Sequence, residues 1–312
     1  LPMAAVEFAA THVAGARIER RSGRPTVIAC AVEPLPSGAL VASLASANLV
    51  DRPVVAGAVG RVLDQLERPR RLAIVIPDLA GKISLLKFQQ VPARARELEQ
   101  LVRWQLRKTA PFAVEEAQVS YVPSRRDETG QEFLVSMARR QTIEEYEGVV
   151  GTAGVDAGVV DLATPNVANA VLAGADRRPD GTADWLLVNV SPGSAALAIF
   201  RGPDVLFFRS REAGGEGTLA DLVHQTAMYY QDRLGGTGFT RVVLAGAGGG
   251  AQDALDTDLA RRSLEERLDA PVEALDVRTA VAFSDRIADA GDQLQVLTPV
   301  VGILLRGQEP AA

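Results

Sequence analysis

The stretch that decides the fold runs from residue 185 to residue 208 and reads Trp185-Leu-Leu-Val-Asn-Val190, Ser191-Pro-Gly-Ser194, Ala195-Ala-Leu-Ala-Ile-Phe200, Arg201-Gly-Pro-Asp204, Val205-Leu-Phe-Phe208. Three short apolar runs alternate with two four-residue segments that contain proline and glycine. Proline presets its backbone φ, and glycine allows the positive φ of a tight turn. Apolar runs joined by such turns are typical of antiparallel hairpins. The stretch therefore predicts three consecutive antiparallel strands.

A similar unit opens the chain. Its apolar runs are residues 4–8, 13–18 and 26–32. Aligning the two units places Glu7 at the position of Asn189, and the small-residue turn at 9–12 at the position of the 191–194 turn. Two copies of one unit, about half a chain apart, predict a duplicated architecture with two facing lobes.

The composition excludes several classes of function. The chain has 312 residues, enough for about two domains of roughly 150 residues each. Its net charge of −6 and its isoelectric point near 5.2 argue against a nucleic-acid-binding protein, which would carry a basic stripe. Two histidines and one cysteine leave no ligand set for zinc or iron and no internal disulfide. The longest apolar run, 296–305, is about half of the ~20 residues that a membrane-spanning helix needs, so we expect a soluble protein.

A helical pattern lies between the two units. Residues 94–109 place Leu98, Val102 and Leu106 on one face of a predicted helix. Trp104 lies at the edge of that face, either as a partly buried packing residue or as a contact for a partner. The polar segment at 177–182 is the best candidate for a linker.

The order of several segments resembles one known family. No Walker, dinucleotide-binding or Gly-x-Ser-x-Gly motif is present, and the glycine-rich loop at 246–250 is a weak signal by itself. Taken with the two hairpin turns, it makes the chain resemble the actin-like ATPase superfamily, and within it the family of the type IV pilus assembly protein PilM. The segments that carry this resemblance are 32–38, 98–112, 114–116 with Tyr121, 160–162, 212–215 with 218–219, 244–251, 264–268 and 271–272.

The resemblance implies an α/β, actin-like (ribonuclease H-like) fold of two duplicated lobes with a small α+β inserted subdomain, as in PilM and the related division protein FtsA. We expect the first lobe at 1–80 and 150–178, the inserted subdomain at 81–149, and the second lobe at 179–312. Each duplicated unit then begins one lobe.

The resemblance also implies where a nucleotide would bind. In the superfamily, two hairpin turns hold the phosphates, an aspartate at the end of each first strand helps to hold hydrated magnesium, and a glycine loop frames the adenosine. The matching positions, as an eroded nucleotide site, are Glu7, Ala9, Thr11, Asn189, Ser191, Gly193, Ser194, Gly214, Gly215, Gly246, Gly248 and Gly249.

Three of these residues depart from the superfamily's pattern. Glu7 is one methylene longer than aspartate, Ala9 puts a methyl group where a phosphate approaches the backbone, and Asn189 keeps a carbonyl oxygen but loses the charge. An ordinary strand-end carboxylate explains Glu7 at least as well as a magnesium role does. We therefore expect no catalytic residue, no metal site and no enzyme activity, with ATP and magnesium as the less favoured cofactor.

As to function, the resemblance implies a cytoplasmic scaffold in the inner-membrane platform of a type IV pilus or a related secretion machine. A PilM protein captures the N-terminal tail of the membrane protein PilN in a groove between the first lobe and the inserted subdomain, and it meets the pilus motor ATPases. We expect the same partners here, with Phe88, Trp104 and Phe112 as groove anchors unless they are plain core residues. Membrane contact is expected only through partners, nucleic acid is not expected, and a homodimer is left open.

Two alternatives stay open. One is an ATP-binding actin-like ATPase or sugar-kinase relative that uses Glu7 and Asn189 around magnesium, which the loss of charge at both turns disfavours. The other is the cytoplasmic domain of a secretion-platform protein similar to GspL, which an apolar span beyond residue 312 would favour.

Overall fold

The computed structural model describes residues 2–21, 24–174, 183–212, 217–246, 251–268, 270–285, 287 and 294–306. Within these residues there are three β-sheets, of six, five and three strands. The two larger sheets are the centres of two lobes, and the third belongs to a small subdomain inserted between strands of the first sheet. No helix in the described ranges is both long and apolar enough to cross a bilayer.

The chain begins with an antiparallel meander. Its first elements are β1 (Ala4–Phe8), β2 (His12–Arg21), β3 (Arg24–Pro34), α1 (Arg52–Gln65) and β4 (Arg71–Ile76). β4 pairs parallel to β1, and the buried side chains of α1 pack on one face of this sheet. Helix α1 begins where the sequence favours it, because Asp51 accepts a hydrogen bond from the amide of Val54 at 3.2 Å and Pro53 lies in the first turn.

The inserted subdomain is a three-stranded sheet covered on one face by a helix. Its elements are β5 (Gly81–Phe88), α2 (Ala95–Leu106), β6 (Ala117–Asp127) and β7 (Gly130–Arg139). β7 is the central strand, so β5 and β6 are the two edges. Val102 and Leu106 of α2 pack in one core with Phe133 of β7. The opposite face of the sheet packs on the first lobe through Ile83 and Leu134.

β7 continues directly into the first lobe, and the second lobe then repeats the meander. The elements are α3 (Arg140–Thr152), β8 (Asp156–Leu162), α4 (Ala163–Ala173), β9 (Asp184–Ser191), β10 (Ser194–Arg201), β11 (Asp204–Glu212), α5 (Leu219–Leu234), β12 (Arg241–Gly246), α6 (Ala251–Leu268) and β13 (Val272–Ala274). The second sheet has the order β11-β10-β9-β12-β13, and β9, β10 and β11 are antiparallel neighbours. The three strands predicted from residues 185–208 are therefore confirmed.

The end of the chain crosses back to the first lobe. β14 (Ala282–Phe283) pairs parallel to β3, and α7 (Thr298–Leu305) packs on the first sheet and against α4. Gly302 permits the close contact of these helices, because a Cβ there would lie 1.7 Å from the carbonyl oxygen of Asn166. Helix α4 packs against both lobes, since Ala170 lies in the core of the first lobe and Val167 lies in the core of the second. The lobes are therefore joined through a shared helix.

Candidate functional site

The end of β1 places Glu7 where the two lobes meet. Its side chain is 7 % exposed, and its Oε2 atom has no hydrogen-bond partner among the described residues. Burial raises the pKa of Glu7 to about 8, and the carboxylate of Asp78 adds to this effect. Glu7 is therefore largely protonated at neutral pH and offers little negative charge to a cation.

Three buried side chains form a chain of hydrogen bonds between the lobes. Thr164, in the first turn of α4, donates to Asp78 from its backbone amide at 3.0 Å and from its hydroxyl at 2.5 Å. The side-chain amide of Asn189, near the end of β9, donates to the same hydroxyl at 2.8 Å. Asp78 follows β4, so the bonds run from the first sheet through α4 to the second sheet. We call Asp78, Thr164 and Asn189 the polar bridge.

Two further acidic side chains, Glu7 and Asp161, lie near Asp78 of this bridge. Glu7, Asp78 and Asp161 lie at or just beyond the carboxyl ends of β1, β4 and β8, which are parallel neighbours in the first sheet. Burial raises the pKa of Asp78 to about 6 and outweighs the two hydrogen bonds from Thr164, which lower it. Burial also raises the pKa of Asp161, although Arg306 forms an ion pair with it at 2.7 Å. Across the described residues, no three acidic, histidine or cysteine side chains are arranged to hold a metal ion.

Sequence reasoning missed Asp78 and Thr164. The available signal was their position, because each closely follows an apolar strand, β4 or β8. Polar residues at the carboxyl ends of parallel strands meet at one edge of a sheet. That signal points to these residues only when the strand order is known, and the order comes from the tertiary structure.

The first predicted phosphate turn is a tight hairpin closed by its own groups. The amide of Ala9 donates to the carbonyl of His12 at 2.9 Å, so this amide is not free for a phosphate. The hydroxyl of the exposed Thr11 lies 3.1 Å from Nδ1 of His12. Burial lowers the pKa of His12 to about 4, and its Nε2 atom has no partner among the described side chains and backbone groups. The turn therefore presents a neutral imidazole and a methyl group.

The second predicted turn keeps its glycine. Gly193 has a φ of +81° and open space where a Cβ would stand, between half-buried Ser191 and buried Ser194. Position 246 requires glycine for a different reason, which is the close approach of a neighbouring strand. The φ of Gly246 is +84°, and a Cβ there would lie 1.7 Å from the carbonyl oxygen of Val190 in the neighbouring strand β9. The other predicted glycines lie outside the described residues, and they are Gly214, Gly215, Gly248 and Gly249.

The three aromatic residues predicted for the partner groove have different environments. Phe88 is 6 % exposed and packs on Phe133, with ring centroids 5.9 Å apart. Trp104 is 51 % exposed on α2, with the ammonium group of Lys108 4.5 Å from its ring centroid. Phe112 is half-buried, and the guanidinium carbon of Arg139 lies 6.0 Å from its ring centroid. Of the three, Phe112 is therefore the one that lies beside Arg139, which lines a cleft between this subdomain and the first lobe.

That cleft is open and has a volume of about 410 Å³. It is lined by Glu116, Arg139, Arg140, Gln141 and Glu144, and we call it the junction groove. It lies where β7 runs directly into α3, so one wall belongs to the inserted subdomain and the other to the first lobe. Arg139 is held across the junction, because it bonds Glu116 at 3.0 Å and the carbonyl of Ala45 at 3.2 Å.

Comparisons with known proteins agree with this architecture. A family model described as type IV pilus assembly protein PilM matches residues 5–233. A solved PilM-PilN type IV pilus biogenesis complex is similar over 99 % of this chain and 99 % of that chain, with a TM-score of 0.81 and 18 % identity. A Bacteroides thetaiotaomicron protein with an actin-like ATPase fold has a TM-score of 0.52 and 10 % identity, covering 95 % of each chain. The ethanolamine utilization protein EutJ of Carboxydothermus hydrogenoformans has a TM-score of 0.52 and 12 % identity, covering 98 % of this chain and 91 % of that one. The predicted actin-like α/β fold is confirmed.

Proposed function

The chain belongs to the family of the type IV pilus assembly protein PilM, and from this premise we propose that it is a cytoplasmic scaffold of the inner-membrane platform of a type IV pilus or a related secretion machine. Its partner is the N-terminal tail of a PilN-like membrane protein. The observation that supports this best is the junction groove, an open cleft between the inserted subdomain and the first lobe. The solved complex that resembles this chain contains a PilN protein, which agrees with such a partner.

The groove suits a short peptide. β6 is an edge strand of the inserted sheet and begins next to Glu116, so its unpaired backbone groups can add a partner strand. Phe112 supplies apolar surface beside Arg139. The exposed side chains of Arg140 and Glu144 offer one charge of each sign, which fixes the direction of a charged tail. None of these contacts needs catalysis.

The proposal includes the absence of nucleotide hydrolysis between the lobes, where the polar bridge lies. Hydrated magnesium prefers anionic oxygen ligands. Glu7 is largely protonated at neutral pH, and the amide of Asn189 is used as a donor to Thr164. Ala9 places a methyl group in the first turn, and its amide donates a hydrogen bond within that turn. These residues do not fit a magnesium ion held between two carboxylates, so the chain is proposed to be no enzyme.

A labelled synthetic peptide of the PilN-like tail tests the partner proposal by fluorescence anisotropy. Arg140→Glu reverses an exposed charge in the groove and is expected to weaken binding about tenfold. The matched control is Arg233→Glu, at an exposed arginine on α5 of the second lobe, which is expected to bind normally. Equal affinity of the Arg140 variant and the unchanged protein would place the tail elsewhere. Trp104→Ala decides separately whether this exposed ring contacts the tail.

Calorimetric titration with ATP and magnesium tests whether the residues between the lobes bind nucleotide. We expect no saturable heat at millimolar nucleotide. Saturable, magnesium-dependent binding would contradict the eroded site and would leave the peptide groove untouched, because the two sites use different residues. Contacts with motor ATPases and self-association stay predictions.

A further inference from the structure

The edge of the first sheet formed by the strand ends opposite the polar bridge is rich in arginine. β2 ends and β3 begins at this edge, and β1 and β4 also start there. The exposed arginines at these strand ends are Arg20, Arg24, Arg70 and Arg71, which we call the arginine rim. Four neighbouring strands at a spacing of about 4.8 Å make this edge about 14 Å wide. Residues from two distant parts of the chain therefore form one basic surface.

Two acidic residues close to the rim have ion-pair partners outside it. Glu67 and Asp64 form ion pairs with two other arginines, Arg17 and Arg68. Within the described part of the chain, no rim arginine forms an ion pair, although Asp156 stands level with Arg71 in the adjacent strand. Exposed guanidinium groups without carboxylate partners are available for external anions, which they bind through paired N–H donors.

The rim also contains exposed apolar surface. Met3 is 44 % exposed and lies between the two groups of arginines, because its carbonyl accepts a hydrogen bond from Ile18 of β2 at 2.8 Å. Its neighbour Pro2 and the side chain of Arg71 both lie over Gly158, where an added Cβ would be 3.0 Å from Pro2 and 2.5 Å from Arg71. An apolar side chain among arginines suits the boundary between headgroups and acyl chains of a bilayer.

We propose that the arginine rim binds the phosphate headgroups of an anionic phospholipid bilayer directly. The whole chain has a net charge of −6, so the part outside the rim is acidic on balance, and an anionic surface favours the orientation in which the rim faces it. An edge about 14 Å wide with an exposed methionine fits a bilayer better than a nucleic acid, which needs a longer basic track. The proposal goes beyond capture of a protein tail, since the contact is made by the chain itself.

Sedimentation with vesicles tests the proposal. We expect the purified chain to bind vesicles containing phosphatidylglycerol, to ignore pure phosphatidylcholine vesicles, and to be released by raising the salt well above 0.1 M, where the Debye length falls below about 10 Å. The triple variant Arg20→Gln, Arg24→Gln, Arg70→Gln is expected to bind about a hundredfold more weakly, since each arginine near the surface contributes about a fivefold factor.

The control removes the same charge elsewhere. Arg96, Arg126 and Arg233 are exposed and far along the chain from the rim, and their triple glutamine variant is expected to keep full vesicle binding. Equal loss in both triple variants would mean a net-charge effect and would overturn the rim. Absence of binding to anionic vesicles, or full competition by millimolar inorganic phosphate or by duplex DNA, would also overturn it. We expect both triple variants to keep the melting temperature of the unchanged protein, because none of the six arginines forms an ion pair with a described carboxylate. An unchanged melting temperature shows that each variant is folded.

Discussion

Asn189 of the second lobe donates a hydrogen bond of 2.8 Å to the hydroxyl of Thr164, and that hydroxyl in turn donates to Asp78 of the first lobe. The exposed fractions of Asp78, Thr164 and Asn189 are 4 %, 1 % and 2 %. Hydrogen bonds shielded from water are stronger, and a buried group that loses its partner keeps its full desolvation cost. A single hydroxyl therefore connects the two lobes through hydrogen bonds.

Replacing that hydroxyl tests the coupling. Thr164→Val leaves the Asn189 amide and one Asp78 oxygen without their partner, so we expect the free energy of unfolding to fall by about 2 to 4 kcal/mol. Urea unfolding measures this change. Thr226→Val is the control, because Thr226 is equally buried but bonds only the Leu222 carbonyl of its own helix at 2.8 Å. The free energy of unfolding of the Thr226→Val variant should fall by about 1 kcal/mol. Equal losses in the two variants would show that the bridge adds nothing across the lobes.

Glu7 should make stability depend on pH. Its pKa is about 8 in the folded protein and near the ordinary value of 4.5 when unfolded. Between these values the folded state keeps a proton that the unfolded state has lost, so the free energy of unfolding falls as pH rises. Glu7→Gln removes this titration and should be the more stable form by on the order of 2 to 4 kcal/mol near pH 8, with little difference near pH 4.

Urea unfolding of both forms across this range measures the difference. His12, with its pKa lowered to about 4, acts in the opposite direction below its ordinary pKa of 6.5. It is present in both proteins and therefore cancels in the comparison. Parallel pH curves for the two proteins would contradict a protonated Glu7.

Two glycines near the second turn should respond differently to alanine. Gly246→Ala places a methyl group against the Val190 carbonyl oxygen, so the strands β9 and β12 must separate. Gly193→Ala meets open space and has only the cost of a positive φ, about 1 kcal/mol. We expect the first change to lower the melting temperature several times more than the second. A similar drop in both would mean that backbone conformation alone requires Gly246.

Asn189→Asp restores the charge at the second turn. The new carboxylate stands beside Thr164 and close to Asp78, and it loses the amide donor of the bridge. Without metal, we expect a loss of about 1 to 3 kcal/mol in unfolding free energy, because like charges are brought together in a buried place. Millimolar magnesium should raise the melting temperature of this variant and leave the unchanged protein unaffected. Magnesium stabilisation of the unchanged protein would show that Asn189 already serves a cation.

Much of the fold could be predicted from local patterns. The prolines and glycines of residues 185–208 mark the turns of β9, β10 and β11, and the resemblance of ordered segments indicated the actin-like fold. The apolar run at 296–305 contains α7 (Thr298–Leu305). Its position on the first sheet could not be read from that run, because a helix that is apolar all round is compatible with any core.

The candidate sites were less predictable for a related reason. Glu7 and Asn189 were found by aligning the duplicated unit, but Asp78 and Thr164 have no repeat to indicate them. They meet because β1, β4 and β8 are adjacent in the sheet and α4 follows the last of these strands. A partner groove between the first lobe and the inserted subdomain was predicted from the resemblance and stays a prediction. The side chains that line the junction groove could be identified only from how β7 enters α3.

The sequence by itself determined the two meanders, the turns between their strands and the absence of a histidine or cysteine metal set, because these depend on residue type and short-range periodicity. Only the tertiary structure decided which polar groups meet. Asp78 and Thr164 are 86 residues apart, and Thr164 and Asn189 are 25 apart. The raised pKa of Glu7 depends in the same way on every element that excludes water from it. Strand order and burial are properties of the whole packed chain, so no local stretch contains them.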